Sequence, residues 1–175
     1  MNETNSITEL EEKIHRMADE KRWEDAIRLL ESQFSAVENN WRLSWNLGWF
    51  CFKLERLAEA QKHLTRATKL APQDAICKWA LGVVYLERGN FKKAAESLRA
   101  ALRIKSSQLA RQHLALTYLK QGRLAEAENL HLEGIRRAPK RAERYETYAC
   151  FLEDVGREEE AEKMYQKAKE LQEIQ

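Results

Sequence analysis

The sequence is poor in the residues that interrupt helices. Its 175 residues include only 2 prolines and 6 glycines. Ala, Leu, Glu, Lys, Arg and Gln are abundant instead, and these residues lose least free energy on entering a helix. We therefore predict that the chain is almost entirely α-helical.

Residues that cross-link a chain or bind metal are also few. The 3 cysteines, Cys51, Cys77 and Cys150, are too scattered for a disulfide framework or a CxxC zinc motif. We expect all of them to be small buried hydrophobic residues. The 4 histidines show no metal-binding spacing with one another, with cysteine or with a carboxylate. No metal site is predicted.

Long apolar runs and an excess of one charge are missing too. No segment approaches the roughly 20 apolar residues of a membrane span, and the first residues do not look like a signal peptide. A cytoplasmic protein without a membrane partner is therefore expected. The 30 basic and 28 acidic side chains nearly cancel, so total charge does not point to nucleic acid. Without a glycine-rich phosphate loop or a nucleophile motif, neither an enzyme nor a cofactor is expected.

What the chain does contain is internal repetition. Written out every 34 residues, WNLGWFCFKLERLAEAQKHLTRATKLAP aligns with WALGVVYLERGNFKKAAESLRAALRI and then with HLALTYLKQGRLAEAENLHLEGIRRAP. After a short N-terminal tail, 1–6, we predict a single array over 7–175. Its five units are 7–40, 41–74, 75–107, 108–141 and 142–175.

The units resemble the tetratricopeptide repeat (TPR) family, whose repeat has the same length. The shared residues are the pairs Leu47-Gly48 and Leu81-Gly82, the aromatics Tyr85 and Tyr118, the turn glycines Gly89, Gly122 and Gly156, the small residues Ala26, Ala60, Ala94, Ala127 and Ala161, and the closing prolines Pro72 and Pro139. The resemblance implies an all-α fold of helical hairpins, stacked as a right-handed TPR superhelix (α-solenoid). It further implies ten helices in five antiparallel pairs and a protein-binding scaffold.

The apolar pattern accounts for such a fold independently. In each unit, apolar residues recur with the spacing of one helix face, first in one helix and then in a second. A single hairpin leaves apolar surface bare, so neighbouring hairpins stack. His131 and Gly134 depart from this pattern in unit 4, and Thr8 with Glu11 resembles a capping box at the start of unit 1.

The first helices of the middle units carry apolar residues that face away from their own hairpin core. At 100° per residue, Trp45 and Trp49 rotate progressively away from that core. The predicted peptide-binding groove comprises Trp45, Trp49, Phe52, Trp79, Val83, Leu86, His113, Leu116 and Leu119. An exposed apolar patch rich in tryptophan is typical of an interaction site. Burial between successive first helices is the alternative, and it is strongest for Trp45.

Acidic residues flank this groove in the outer units. They are Glu11, Glu12, Glu143, Glu146, Glu153 and Asp154. The pattern favours another protein as partner, bound through an apolar peptide or an amphipathic helix with Lys or Arg flanks. Some members of the resembled family instead grip an acidic peptide C-terminus with Lys, Asn and Arg. The corresponding residues here are Glu11, His15, Asn46, Ile76 and Ala80, of which only the asparagine matches.

Two alternatives remain besides a cytoplasmic adaptor or chaperone-like scaffold. In the first, the protein self-associates as a homo-oligomer, and another copy or a flanking segment of the chain covers the groove. The second is an RNA-binding helical repeat. Nucleic acid is less favoured because the ends of the groove are acidic, and the basic run RRAPKRAER fits a loop edge and a helix terminus.

Overall fold

The structure, a computed structural model, describes the backbone of residues 3–173, and within them every side chain except those of residues 3–6 and 34. Eleven α-helices and no strand occur in this described part of the chain. The helices are α1 (Glu3–Asp19), α2 (Trp23–Ser32), α3 (Phe34–Asn39), α4 (Trp41–Lys53), α5 (Leu57–Leu70), α6 (Ala75–Glu87), α7 (Phe91–Ile104), α8 (Gln108–Lys120), α9 (Leu124–Arg137), α10 (Ala142–Asp154) and α11 (Glu158–Glu173). The predicted all-α fold class is confirmed.

The helices form two compact units, Met1–Ile104 and Lys105–Gln175, described separately below as the N-terminal and C-terminal units. Helix α1 begins at Glu3, before the predicted start of the first repeat. Helices α4, α6, α8 and α10 begin at the first residues of the second to fifth predicted repeats. The division of the chain into one array of five repeats stays a prediction.

In the N-terminal unit the paired helices approach closely at glycine. A Cβ atom placed on Gly48 would lie 2.7 Å from the Leu64 Cγ atom, and one on Gly82 would lie 2.7 Å from the Leu98 Cγ atom. Leu64 and Leu98 are fully buried. Any side chain at either glycine would therefore push the α4/α5 or α6/α7 hairpin apart.

The second helix of the first repeat is divided, which makes eleven helices instead of the predicted ten. The break lies at Gln33, between α2 and α3. The Ser32 hydroxyl donates to the Leu29 carbonyl (2.7 Å), a local bond that competes with helix continuation. Beyond the break, the buried Ser44 hydroxyl of α4 donates to the Val37 carbonyl (2.5 Å), which holds α3 against α4.

The prediction for the cysteines is right at two positions and wrong at the third. Cys51 and Cys77 are buried, and burial raises the pKa of the Cys51 thiol to about 11. Cys150 is exposed, and its Sγ atom lies 3.3 Å from the Tyr165 hydroxyl. Tyr148 and Leu152 are buried and lie two residues before and after Cys150, which at 100° per residue puts Cys150 on the opposite, outward side of α10.

All five hairpin turns use the same left-handed cap. Gly89, Gly122 and Gly156 have φ of 72°, 72° and 76°, as predicted from their turn positions. In the first of these turns Gly89 N–H donates to the Leu86 carbonyl and Asn90 N–H to the Tyr85 carbonyl, which is the Schellman pattern. The two earlier turns repeat it with Lys21 and Glu55 at φ of 58° and 59°.

The residue after the left-handed position directly precedes the second helix of each hairpin. In four repeats it is an arginine that pairs with an acidic residue in the first helical turn, as Arg22 does with Asp25 (2.8 Å) and Arg157 with Glu160 (2.7 Å). In the remaining repeat Asn90 caps the helix by accepting from the Lys93 N–H (3.2 Å). These carboxylates also complement the positive end of the helix dipole.

In the C-terminal unit, α8 packs on α9, α9 on α10, and α10 on α11. His131 of α9 lies within this packing, its ring 5.0 Å from that of Phe151 and 5.9 Å from that of Tyr148. The Tyr148 hydroxyl donates to Glu128 (2.5 Å), which also accepts from Arg157 (2.7 Å). Burial lowers the pKa of His131 to about 4, although Glu128 opposes the shift.

We expect Glu55→Gly to stabilise the protein by about 1 kcal/mol, because glycine removes the left-handed strain carried by a side chain at this φ. Urea denaturation measures the change. The matched control is Glu96→Gly, an exposed position within α7, where glycine destabilises by about 1 kcal/mol. A loss of stability in both variants would contradict the assignment of strain to Glu55.

We expect the folded state to lose about 1 to 2 kcal/mol through His131 between about pH 7 and about pH 5. The folded pKa of about 4 lies below the ordinary value of 6.5, so the unfolded state binds more protons between these values. Stability from the neutral ring is thus complete above 6.5 and is lost as the pH falls toward about 4. The measurement compares pH-dependent unfolding with that of His131→Phe, which should be less pH-sensitive. Equal pH dependence in the two proteins would refute the effect.

Candidate functional site

Four aromatic side chains of the N-terminal unit form one cluster around Trp49. The Trp49 ring centroid lies 5.7 Å from that of Trp45, 5.0 Å from that of Phe52 and 5.3 Å from that of Trp79. Helix periodicity places Trp45, Trp49 and Phe52 together on α4, and Trp79 reaches them from α6. We call these residues the aromatic cluster.

The aromatic cluster is partly buried and partly open. All four side chains pack against the apolar core of the unit, yet each retains solvent exposure. The Lys53 ammonium lies 5.2 Å from the Trp49 ring centroid, in the range of a cation–π contact. The cluster is therefore a preformed aromatic surface that already holds one cation.

Two other predicted groove residues of the N-terminal unit have little exposed surface. Val83 is 3% exposed and Leu86 is 6% exposed. Both lie on α6, whose buried residues occupy most of its circumference. The angle of 100° per residue predicted the side of α6 on which Val83 and Leu86 lie. It does not tell which neighbouring residues cover that side.

The predicted groove residues of the C-terminal unit lie on α8. Leu116 is 39% exposed, whereas Leu119 and His113 are partly buried. The His113 Nδ1 atom lies 2.7 Å from the Leu109 carbonyl oxygen one turn earlier. A hydrogen bond there requires the proton on Nδ1, because a carbonyl oxygen only accepts.

The predicted acidic residues of the C-terminal unit are mostly engaged within the unit. Glu146 accepts a hydrogen bond from Gln172 (2.6 Å), and Glu153 accepts one from Tyr165 (2.8 Å). Glu143 is exposed and lies 3.8 Å from Arg144, and Asp154 is exposed. These carboxylates have less freedom to meet a ligand than the sequence pattern implied.

A cavity of about 340 Å³ lies beside the aromatic cluster, within the N-terminal unit. Its lining residues come from α1, α4 and the start of α6, and they are Glu11, His15, Trp41, Arg42, Trp45, Asn46 and Ile76. We call this space the α1–α4 cavity. Asn46 is 4% exposed, and the Arg42 guanidinium carbon lies 5.3 Å from the Trp41 ring centroid. Sequence analysis missed Arg42, although its place beside Trp41 at the start of the repeat was a usable signal.

Two residues that line the α1–α4 cavity each have one buried polar atom with no hydrogen-bond partner among the described residues. These atoms are the Glu11 Oε1 atom and the Trp45 Nε1 atom. The predicted capping box of Thr8 and Glu11 is wrong, because α1 begins at Glu3 and both residues lie inside the helix. Glu12, the other acidic residue predicted at this end, is exposed and does not line the cavity.

The basic run around the α9–α10 loop is partly neutralised. The Arg137 Nε atom lies 2.7 Å from Glu133, and Arg144 lies near Glu143. Arg111 is buried beside the same Glu133, and burial lowers its pKa. This mixed arrangement differs from the uncompensated basic surface typical of nucleic-acid binding.

Comparison with known proteins assigns the family. Three family models described as tetratricopeptide repeat match residues 52–108, 109–138 and 142–175. The chain belongs to the tetratricopeptide repeat family. The matches take in most of the chain from residue 52 onward and agree with the repeated hairpins of the structure.

A curated relative and several solved structures are similar to this TPR protein. Protein O-mannosyl-transferase TMTC2 from Homo sapiens is 30% identical over 121 residues, which are 67% of this chain and 14% of that protein. The chain thus spans 14% of the length of this relative.

The structural likenesses are to MamA. Residues 41 to the end of MamA from Desulfovibrio magneticus RS-1 give a TM-score of 0.81 at 18% identity, covering 100% of this chain and 98% of that one. Another MamA crystal structure gives 0.78 at 22% identity, covering 99% and 94%. At these identities the likeness shows a shared fold. No helix in the described residues is long and apolar enough to cross a membrane.

We expect replacement of Trp49 and Trp79 together by Gln to lower the free energy of unfolding by about 1 to 2 kcal/mol. The ring contacts of the cluster are lost, but both side chains already contact solvent. One fully buried Trp would by itself cost about 3 to 5 kcal/mol. Urea midpoints test this, with Ala94→Leu as a core control that overpacks a fully buried site by about 1 to 3 kcal/mol. A double variant far less stable than Ala94→Leu would place the indoles in the core.

Proposed function

We propose that this TPR protein is an adaptor or chaperone-like scaffold that binds an apolar, aromatic-anchored peptide or amphipathic helix on its aromatic cluster. TPR repeats are protein-interaction modules. The observation that supports this particular surface is the contact of Trp49 with Trp45, Phe52 and Trp79 while all four rings remain partly exposed.

The energetic reason lies in the aromatic side chains. Tryptophan is enriched among the few interface residues that dominate binding energy, and it buries a large area with few rotatable bonds. Trp49 is already held by three neighbouring rings, so little side-chain entropy remains to be lost when a ligand covers it. The aromatic cluster is preorganised for an apolar anchor.

Two acidic residues of α1 favour a ligand with basic residues beside its apolar anchor. Glu12 is exposed on α1 and Glu11 lines the adjoining cavity. Carboxylates at an interface steer cationic partners toward it and disfavour acidic ones. A second copy of the chain could supply such a segment as well, so self-association is the competing account of the same surface.

We expect the double variant Trp49→Gln, Trp79→Gln to lose the partners that the wild-type protein retains, because the ligand's apolar anchor no longer finds an aromatic surface. Affinity capture from cell extract, quantified by mass spectrometry, compares the two proteins. The matched control is Leu70→Gln, which removes an exposed apolar side chain (43% exposed) from a second helix of the same unit.

Partners lost with the double variant and kept with Leu70→Gln would support the aromatic cluster as the binding surface. Partners kept by both variants would contradict it. Sedimentation of the purified proteins distinguishes a different protein from a second copy of this chain as the ligand of the aromatic cluster. A wild-type oligomer that becomes a monomer in the double variant, with no other protein retained, would replace the proposed function by self-association.

A further inference from the structure

We infer that the α1–α4 cavity is a subsite for one Lys or Arg side chain of the peptide that binds the aromatic cluster. The inference depends on the proposed function, which supplies the peptide. The lining of the cavity supplies the reason why the bound side chain is basic. Trp45 belongs to both sites, so a basic residue in the cavity and an apolar anchor on Trp49 can come from one short segment.

The Glu11 carboxylate carries the argument for a cation. Its Oε1 atom is buried and has no hydrogen-bond partner in the part of the chain that the structure describes. A buried carboxylate oxygen without a donor is costly, and an ammonium or guanidinium group is the donor that relieves the cost most strongly. Elsewhere in the unit a carboxylate is already paired with a guanidinium group, since Arg56 donates to Glu59 (2.8 Å).

The indole walls of the cavity favour the same kind of ligand. Tryptophan faces attract Lys and Arg side chains through the ring quadrupole. Arg42 already shows this preference at the rim, since its guanidinium carbon lies 5.3 Å from the Trp41 ring centroid. The ionisable groups that line the cavity are Glu11, His15 and Arg42. Arg42 is an exposed cation that opposes an incoming one, which makes its removal an informative variant.

Two further polar groups fit the peptide backbone beside a basic side chain. The Trp45 Nε1 atom is a buried donor for which the described residues offer no acceptor, and a main-chain carbonyl is a suitable acceptor for it. Asn46, at 4% exposure, adds an amide that both donates and accepts. The volume of about 340 Å³ lies at the small end of the ligand-pocket range of about 300 to 1,000 Å³, as befits one side chain and its neighbouring peptide group.

An acidic ligand does not fit this lining. A carboxylate would face Glu11 at close range, and the repulsion between like charges rises as water is excluded. Ile76, which is 52% exposed, gives the remaining wall an apolar surface suited to the methylene stem of a long basic side chain. The cavity therefore selects Lys or Arg by its charge and by its shape.

The test uses a library of random short peptides displayed on phage as the probe, selected separately on four proteins. These are the wild type, Glu11→Gln, Trp49→Gln and the control Glu9→Gln, at an exposed position of α1 that does not line the cavity. We expect the wild type and Glu9→Gln to select apolar anchors with Lys or Arg at a fixed spacing. Glu11→Gln should keep the anchors and lose the basic residue, and Trp49→Gln should select little.

Fluorescence polarisation with one selected peptide then measures the contact. Replacing its basic residue by Gln should weaken binding to the wild type roughly tenfold, and should change binding to Glu11→Gln little. Arg42→Gln should tighten binding of the basic peptide. The urea midpoint of Glu11→Gln should be no lower than that of the wild type, because an uncharged amide costs less to bury than a carboxylate oxygen without a donor.

The outcomes separate the two proposals. Apolar anchors without a basic preference, a preference for acidic residues, or a basic preference that survives Glu11→Gln would overturn the subsite and leave the proposed function standing. No selection by the wild type, or selection unaffected by Trp49→Gln, would overturn the proposed function and the subsite with it. Dimerisation that Glu11→Gln abolishes, without any selected peptide, would assign the cavity to a second copy.

Discussion

The close approach of the two helices in the second to fifth hairpins is the constraint on which the rest of the structure depends. Gly48 and Gly82 leave no room for a Cβ atom beside Leu64 and Leu98, and the equivalent positions of the later repeats are the buried alanines Ala115 and Ala149. Because this contact fixes which side of each first helix faces its partner, it also fixes which side is left over. At 100° per residue, Trp45 and Trp49 lie about 60° and about 100° from Gly48 around α4, both in the same direction, so they lie beside the hairpin contact and not at its centre.

The turns add a second regularity that follows from the first. Two helices that must lie antiparallel and in contact need an abrupt reversal, and the same Schellman cap supplies it five times. Glycine takes the left-handed position in the last three turns, while Lys21 and Glu55 take it in the first two at some cost in strain. That the side-chain-bearing residues still adopt this conformation shows that helix packing determines the turn, and not the local preference of its residues.

The sequence predicted the structural features that recur in several repeats, but not the features that occur in one repeat only. The starts of α4, α6, α8 and α10, the three glycine turns and the meeting of Trp45, Trp49 and Trp79 all follow from a pattern that is present several times. The division of α2 from α3 depends on single hydroxyl contacts of Ser32 and Ser44, which occur once. The burial of Val83 and Leu86 was missed for another reason. A helical angle tells which way a side chain points, but the neighbour that covers it is a property of the whole fold.

The burial of Glu11 is another feature that the repeat pattern did not predict, and it shows how stability and binding are related in the N-terminal unit. Natural proteins satisfy nearly all buried polar atoms, so an exception usually has a cause. In this unit Glu11 and Trp45, each with a buried polar atom that lacks a partner among the described residues, both line one cavity beside the aromatic cluster. Folding alone would favour apolar replacements at both positions, since neither group gains a partner within the described structure. A binding site for an external partner explains why these polar groups are present although they lower stability. Their missing hydrogen bonds are made only when the partner is bound.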